Sequence, residues 1–126
     1  MSDPVVNFEL PADDVERARG FYREAFGWEI TAFPEMDYTM LGTSPVDENG
    51  APTQPGAING GMVKRESASD VPMIVIRVGD IAAALEKVER LGGKAINPAK
   101  AVGNMGFSAT CADSEGNVIG LWQDAA

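Results

Sequence analysis

Few side chains in this sequence are equipped for chemistry. The chain of 126 residues has no histidine, so the commonest acid–base group and metal ligand is missing. Its single cysteine, Cys111, excludes an intrachain disulfide and has no imidazole to activate it as a nucleophile. It stands in the alternating stretch Phe107-Ser108-Ala109-Thr110-Cys111 and is expected to be a small buried core residue. Attention therefore falls on Glu9. It lies in the alternating segment Val5-Val6-Asn7-Phe8-Glu9-Leu10 and shares a face with Asn7, opposite Phe8 and Leu10. Glu9 suits a general base or a counter-ion for a cationic ligand; it equally suits a structural carboxylate paired with an arginine or lysine. Asn7 is able to hydrogen-bond a ligand, or to be satisfied by protein groups or a buried water. Arg77 shares parity with Met73 and Val75 and fits three roles: partner of Glu9, binder of a ligand carboxylate, or solvated strand end.

Other residues offer contact rather than reactivity. Tyr38 and Trp122 present planar faces for stacking, although Trp122, on a terminal strand, also suits the core or a dimer interface. Met40, Met62, Met73 and Met105 fit an adaptable apolar pocket or plain core filling. The turn Gly103-Asn104-Met105-Gly106 leaves room for a ligand, but no Lys-Ser/Thr follows it and it is not a phosphate loop. Glu86, Lys87, Glu89 and Arg90 belong to a solvated helix face.

The elements that position these residues follow from periodicity. Residues 5–10 read as a strand, and Asp13-Asp14 suits a helix start. Val15, Ala18, Phe21, Tyr22, Ala25 and Phe26 recur at helical spacing until Gly27 stops the run. Strands are expected over Trp28–Phe33 and Asp37–Leu41, around Pro34. Residues 42–57 form a long loop rich in Gly, Pro, Ser and Asp, a candidate lid or pocket rim. Ala57–Val63 is a further strand, weakened by Gly60 and Gly61, and Lys64–Asp70 is a polar linker. The pattern then restarts: a strand over Met73–Val78, then a helix opened by Asp80 with Ile81, Ala84, Leu85, Val88 and Leu91 on one face, ended by Gly92-Gly93. Short strands are expected around Ala95-Ile96, over Gly106–Cys111 and over Val118–Trp122.

A shift of 66 positions places Asp14 on Asp80, Ala18 on Ala84, Gly27 on Gly93 and Leu10 on Ile76. Two like-patterned halves imply duplication of one unit, module one over about 4–64 and module two over about 71–124, within a single domain covering 1–126. Neither half carries enough apolar surface to stand alone, so the halves must share a core or pair with a second chain.

Bulk properties exclude several classes. A net charge of −9 argues against binding nucleic acid or an anionic membrane surface, and fits a soluble or salt-adapted chain or one attracting cationic ligands. No apolar run approaches the ~18 residues that span a bilayer. Met1-Ser2-Asp3-Pro4 lacks the basic flank and apolar stretch of a signal peptide, so a cytoplasmic location is expected.

Several segments together resemble the vicinal oxygen chelate superfamily, which includes glyoxalase I, extradiol dioxygenases and bleomycin-resistance proteins. They are Val6-Asn7-Phe8-Glu9-Leu10-Pro11-Ala12-Asp13-Asp14, Phe21-Tyr22 with Phe26-Gly27-Trp28, Pro55-Gly56-Ala57-Ile58-Asn59-Gly60-Gly61, Val78-Gly79-Asp80-Ile81, and Gly116-Asn117-Val118-Ile119-Gly120-Leu121-Trp122. The small glyoxalase-like branch is the nearest in pattern. The resemblance implies an α+β fold of two tandem βαβββ modules related by a pseudo-twofold, with curled mixed sheets around a cavity and the helices outside. It also implies a homodimer.

Metal-dependent members of that group hold a divalent ion with His and Glu side chains from the first and last strands of each module. The resemblance puts those positions at Asn7, at Met73, at Gly120 and near Gly60 to Met62. None offers an imidazole or carboxylate, whereas a catalytic ion needs about three converging protein ligands. No metal and no other cofactor is expected. Three functions stay open, in this order: a small-molecule-binding or drug-sequestering protein taking an aromatic or cationic ligand; an enzyme related to lactoylglutathione lyase or the dioxygenases with an atypical site; and a structural or partner-binding protein without a working pocket.

Overall fold

The computed structural model describes residues 2–125. These fall into two compact units, Asn7–Pro72 and the stretch from Met73 onward, which also takes in the segment ahead of Asn7. The Arg77 N–H donates to the Pro4 carbonyl at 3.0 Å, which ties that leading segment to the second unit.

The first unit is built on β1 (Val5–Ala12, starting just ahead of the boundary), α1 (Val15–Phe26), β2 (Glu29–Phe33), β3 (Tyr38–Gly42) and β4 (Asn59–Lys64). The strands lie in the order β2-β3-β4-β1. β1 runs parallel to β4, and the other two pairings are antiparallel. Apolar spacing dictates α1 and its two ends are chemically marked. The Asp14 side chain accepts the Arg17 N–H at 3.0 Å, and Gly27 closes the helix in a left-handed conformation, φ 71°. Asp14→Ala should cost about 1 kcal/mol, the usual worth of an N-cap, measurable by urea denaturation.

α1 packs on one face of this sheet. Ala12, Leu41 and Met62 are buried there, with Phe8, Leu10, Val15, Ala18, Tyr22, Trp28 and Ile30 around them. The Tyr22 and Trp28 rings stack with centroids 4.8 Å apart. Thr39 is the buried polar residue in this layer, and its hydroxyl accepts the Arg19 Nε–H at 2.9 Å, so burial leaves it satisfied.

The second unit repeats the plan with β5 (Met73–Arg77), α2 (Ile81–Arg90), β6 (Lys94–Val102), β7 (Gly106–Ala112) and β8 (Val118–Asp124), in the order β5-β8-β7-β6. Its core joins Val78, Ile81, Ala109, Cys111 and Leu121. Cys111 is buried, and burial together with the nearby Asp113 charge pushes its thiol pKa up, away from reactive thiolate. The strand expected only around Ala95-Ile96 runs through Pro98 to Val102. β6 ends its unit's strand order, and its pairing with β7 slips between Ala95 and Lys100, which accommodates a proline that cannot donate to a ladder.

The fold is therefore α+β with two βαβββ modules, and the shift of 66 survives in detail. Glu9 pairs with Gly61 on the parallel neighbour, and Val75, 66 positions on, pairs with Gly120. The correspondence ends after β3, because residues 43–58 separate β3 from β4 whereas 113–117 suffice between β7 and β8.

Candidate functional site

The side of module one away from α1 gathers the polar residues. β1 alternates, so Phe8 and Leu10 enter the helix-side core and Asn7 and Glu9 face the other way. Pairing then fixes their neighbours. Asn59 stands beside Asn7, Gly61 stands beside Glu9, and Met40 of β3 lies in register with Gly61.

Gly61 is the structural key. It sits on the middle strand, between Tyr38 on β3 and Glu9 on β1, and it has no side chain. The Tyr38 ring lies across it, and the phenol O–H donates to Glu9 Oε2 at 3.0 Å. A β-carbon on Gly61 would overlap both the Tyr38 hydroxyl and its ring. Its neighbour Gly60 makes the same kind of room on the opposite face, where the Phe8 ring packs. The two glycines that weaken β4 as a strand are thus the gaps through which β1 and β3 side chains approach each other.

Burial governs the electrostatics. It raises the Glu9 carboxyl pKa above the usual carboxylate value, and the Tyr38 hydrogen bond offsets part of that rise. The Tyr38 phenol is held above the ordinary tyrosine range by burial, by the Glu9 charge and by the same hydrogen bond. Glu9 thus has a phenol as its side-chain partner, in place of the arginine or lysine that a structural carboxylate would be expected to have.

The two asparagines differ sharply. Asn59 Oδ1 accepts the backbone N–H groups of Thr43 at 2.8 Å and Ser44 at 3.1 Å, which anchors the start of the long loop. Asn7 Oδ1 is buried without a hydrogen-bond partner, and among the described residues it is the one buried side-chain polar atom in that state. Such an atom costs roughly 1–3 kcal/mol of desolvation that nothing in the chain recovers. Asn59 was absent from the residues singled out by sequence. The Asn59-Gly60-Gly61 run was its only signal.

The remaining sequence candidates divide. Met40 lies on the Glu9 face and is 46% exposed. Met62 does not join it: paired with Leu10, it points under α1 and is 1% exposed. It borders a separate groove of about 310 Å³ beside Pro11, Arg17 and Phe21. Met105 is 58% exposed in the turn before β7, apart from the Glu9 face.

In module two, Met73, Arg77 and Trp122 lie on the face away from α2. The Met73 Cε stands 3.2 Å from where a Gly120 β-carbon would be, so the two positions equated with metal ligands do meet there, as a methyl group over a glycine. Arg77 is exposed. The Trp122 Nε1–H donates to Asp124 Oδ1 at 2.8 Å, and its half-buried ring packs over Gly106. Among the described residues no group of three or more His, Cys, Asp or Glu side chains is placed to hold a metal ion.

Comparison with known proteins agrees with this architecture. The chain is 33% identical over 103 residues to a glyoxylase-like domain-containing protein of Didymella fabae, covering 79% of this chain and 76% of that one. Residues 5–44 match the family described as bleomycin resistance protein-like N-terminal. The chain belongs to the glyoxalase/bleomycin resistance/dioxygenase superfamily. In fold it is similar to a member of that superfamily from Vibrio splendidus 12B01, with a TM-score of 0.63 at 16% identity, covering 98% of this chain and 100% of that one. It is also similar to Streptomyces coelicolor methylmalonyl-CoA epimerase, with a TM-score of 0.65 at 18% identity and 97% coverage of each.

Proposed function

We propose that this protein binds a small organic molecule on the Asn7–Glu9–Tyr38 face of module one, without the divalent ion that metal-dependent relatives use. The observation that carries this reading is the buried, unpartnered Asn7 Oδ1 beside a half-buried carboxyl. Proteins seldom leave a buried acceptor unpaired unless something outside the chain completes it. The side chains at the ligand positions of the superfamily support the second clause. Asn7 and Gly61 in module one, and Met73 and Gly120 in module two, supply one amide oxygen and no imidazole or carboxylate. Glu9 adds a single carboxylate, which is short of a divalent site. We also propose that the protein is a cytoplasmic homodimer, an assembly that the family resemblance implies.

A second reading has one observation behind it. Glu9 carries a raised pKa and a hydrogen-bonded phenol at its side, which suits proton abstraction next to a carbonyl. A structural relative is a methylmalonyl-CoA epimerase. In that case Glu9 takes the proton and Tyr38 holds its carboxylate in place.

Metal analysis of the purified chain, with a thermal-shift screen of divalent ions and of aromatic and cationic compounds, tests the proposal. The expected result is no stoichiometric metal and a rise in Tm with organic compounds only, by mass action on the native state. Stoichiometric zinc or nickel accompanied by glyoxalase turnover would overturn it. Size-exclusion chromatography with light scattering reads the expected dimer.

A further inference from the structure

We infer that the ligand of this face is an organic cation whose charge sits on a planar group with several N–H donors, an amidinium or guanidinium attached to an apolar body. This rests on the binding reading above and assigns it a chemical class.

The argument is a count of donors and acceptors. Asn7 Oδ1 is an acceptor with no donor. Glu9 receives one donor, the Tyr38 O–H, on Oε2. A phenol has a single proton to donate, so Tyr38 has none left for a ligand. The site therefore presents two unfilled acceptors, beside the amide N–H groups of Asn7 and Asn59, and a ligand that satisfies those acceptors must bring hydrogens. Asn7 and Glu9 are two residues apart on one strand face, so about 6–7 Å separates them along β1. N–H groups splayed on separate nitrogens of one planar group reach farther across such a gap than the donors of a single ammonium nitrogen or a lone hydroxyl.

The surroundings select the rest of the molecule. The Tyr38 ring lies over Gly61 and the half-exposed Met40 thioether stands in register with Gly61. An aromatic face and a polarisable sulfur favour a cation carried on an apolar group. Anions are disfavoured, because within this unit no arginine or lysine of the four strands lies on the side that carries Glu9, which includes Asn7, Glu29, Thr31, Tyr38 and Met40. The net charge of −9 acts in the same direction at longer range.

Three probes of one shape separate the possibilities: benzamidine, neutral benzamide and anionic benzoate, each titrated calorimetrically into the full chain. Benzamidine is expected to bind, benzamide at least about tenfold more weakly, and benzoate not measurably. Glu9→Gln and Asn7→Leu should each weaken benzamidine by about tenfold or more, the worth of a hydrogen bond involving a charge, with circular dichroism confirming that both variants fold. Equal affinity for all three probes, lost in Asn7→Leu, would leave the pocket standing and remove the cation. Benzamidine binding untouched by either substitution would place it elsewhere and overturn the assignment. No binding of any probe would also overturn it, while the wider screen still decides whether this face binds small molecules at all.

Discussion

Gly61→Ala is expected to cost about 2–4 kcal/mol of folding stability, the sum of overpacking and of a buried group losing its partner. The added methyl would fall on the hydroxyl and ring of Tyr38. That ring cannot swing aside freely, because its O–H is held by Glu9. Relief requires giving up the hydrogen bond, which strands a carboxyl in a place where burial already raises its pKa. The control is Tyr38→Ala, which empties the space. In that background Gly61→Ala should change stability by no more than about 0.5 kcal/mol, since alanine is no worse than glycine in a strand once it has room. Urea denaturation of the four proteins gives the coupling directly, expected at about 2 kcal/mol or more. If Gly61→Ala costs the same with and without the Tyr38 ring, the ring is not what β4 leaves room for, and the account of the site fails.

This dependence on a gap explains which parts of the molecule the sequence discloses. Helix ends are local chemistry. Asp14, Asp80 and Gly27 act within a turn of themselves, and the expected start of each helix matches the observed one. Face assignment along a single strand is also local, so the parity of Asn7 and Glu9 against Phe8 and Leu10 needs no tertiary knowledge. Register between strands is different. Met62 enters the core because it pairs with Leu10 and Thr39, and nothing in residues 57–63 alone says which of Gly61 or Met62 shares the Glu9 face. The partner of Glu9 is 29 positions away and reaches it across a third strand. Tyr38 was readable as a ring available for stacking, but its bond to Glu9 was not, since that bond exists only when β1, β4 and β3 lie side by side in this register. The repeat supplied more than any single motif. It equates Glu9 with Val75, so the second module has no carboxylate at the equivalent position.

A site that holds unfilled acceptors should weaken the protein that carries it, and two substitutions separate the contributions. Asn7→Leu removes a buried oxygen that has no partner and keeps much of the volume. It should add roughly 1–2 kcal/mol of stability, a rise of a few degrees in Tm, at every pH from 4 to 8. Glu9→Gln should also stabilise, but only where the carboxyl would be charged. Folding raises the Glu9 pKa above its ordinary 4.5, so the native chain holds that proton more firmly than the unfolded chain does. The stability this contributes is complete below about pH 4.5 and is lost as pH rises through the raised native value. Glutamine avoids the loss and still accepts the Tyr38 O–H through its own carbonyl oxygen. Its Tm should therefore exceed that of the wild type at pH 8 and converge on it by about pH 4, whereas the gain from Asn7→Leu stays level. Parallel pH profiles for the two variants would mean that Glu9 is not held against its ionisation, and that its environment is wetter than its burial beside Tyr38 implies. A higher Tm in both variants together with weaker ligand binding is the combination expected when stability is given up for function. It would mark these two acceptors as residues kept for what they bind and not for how they fold.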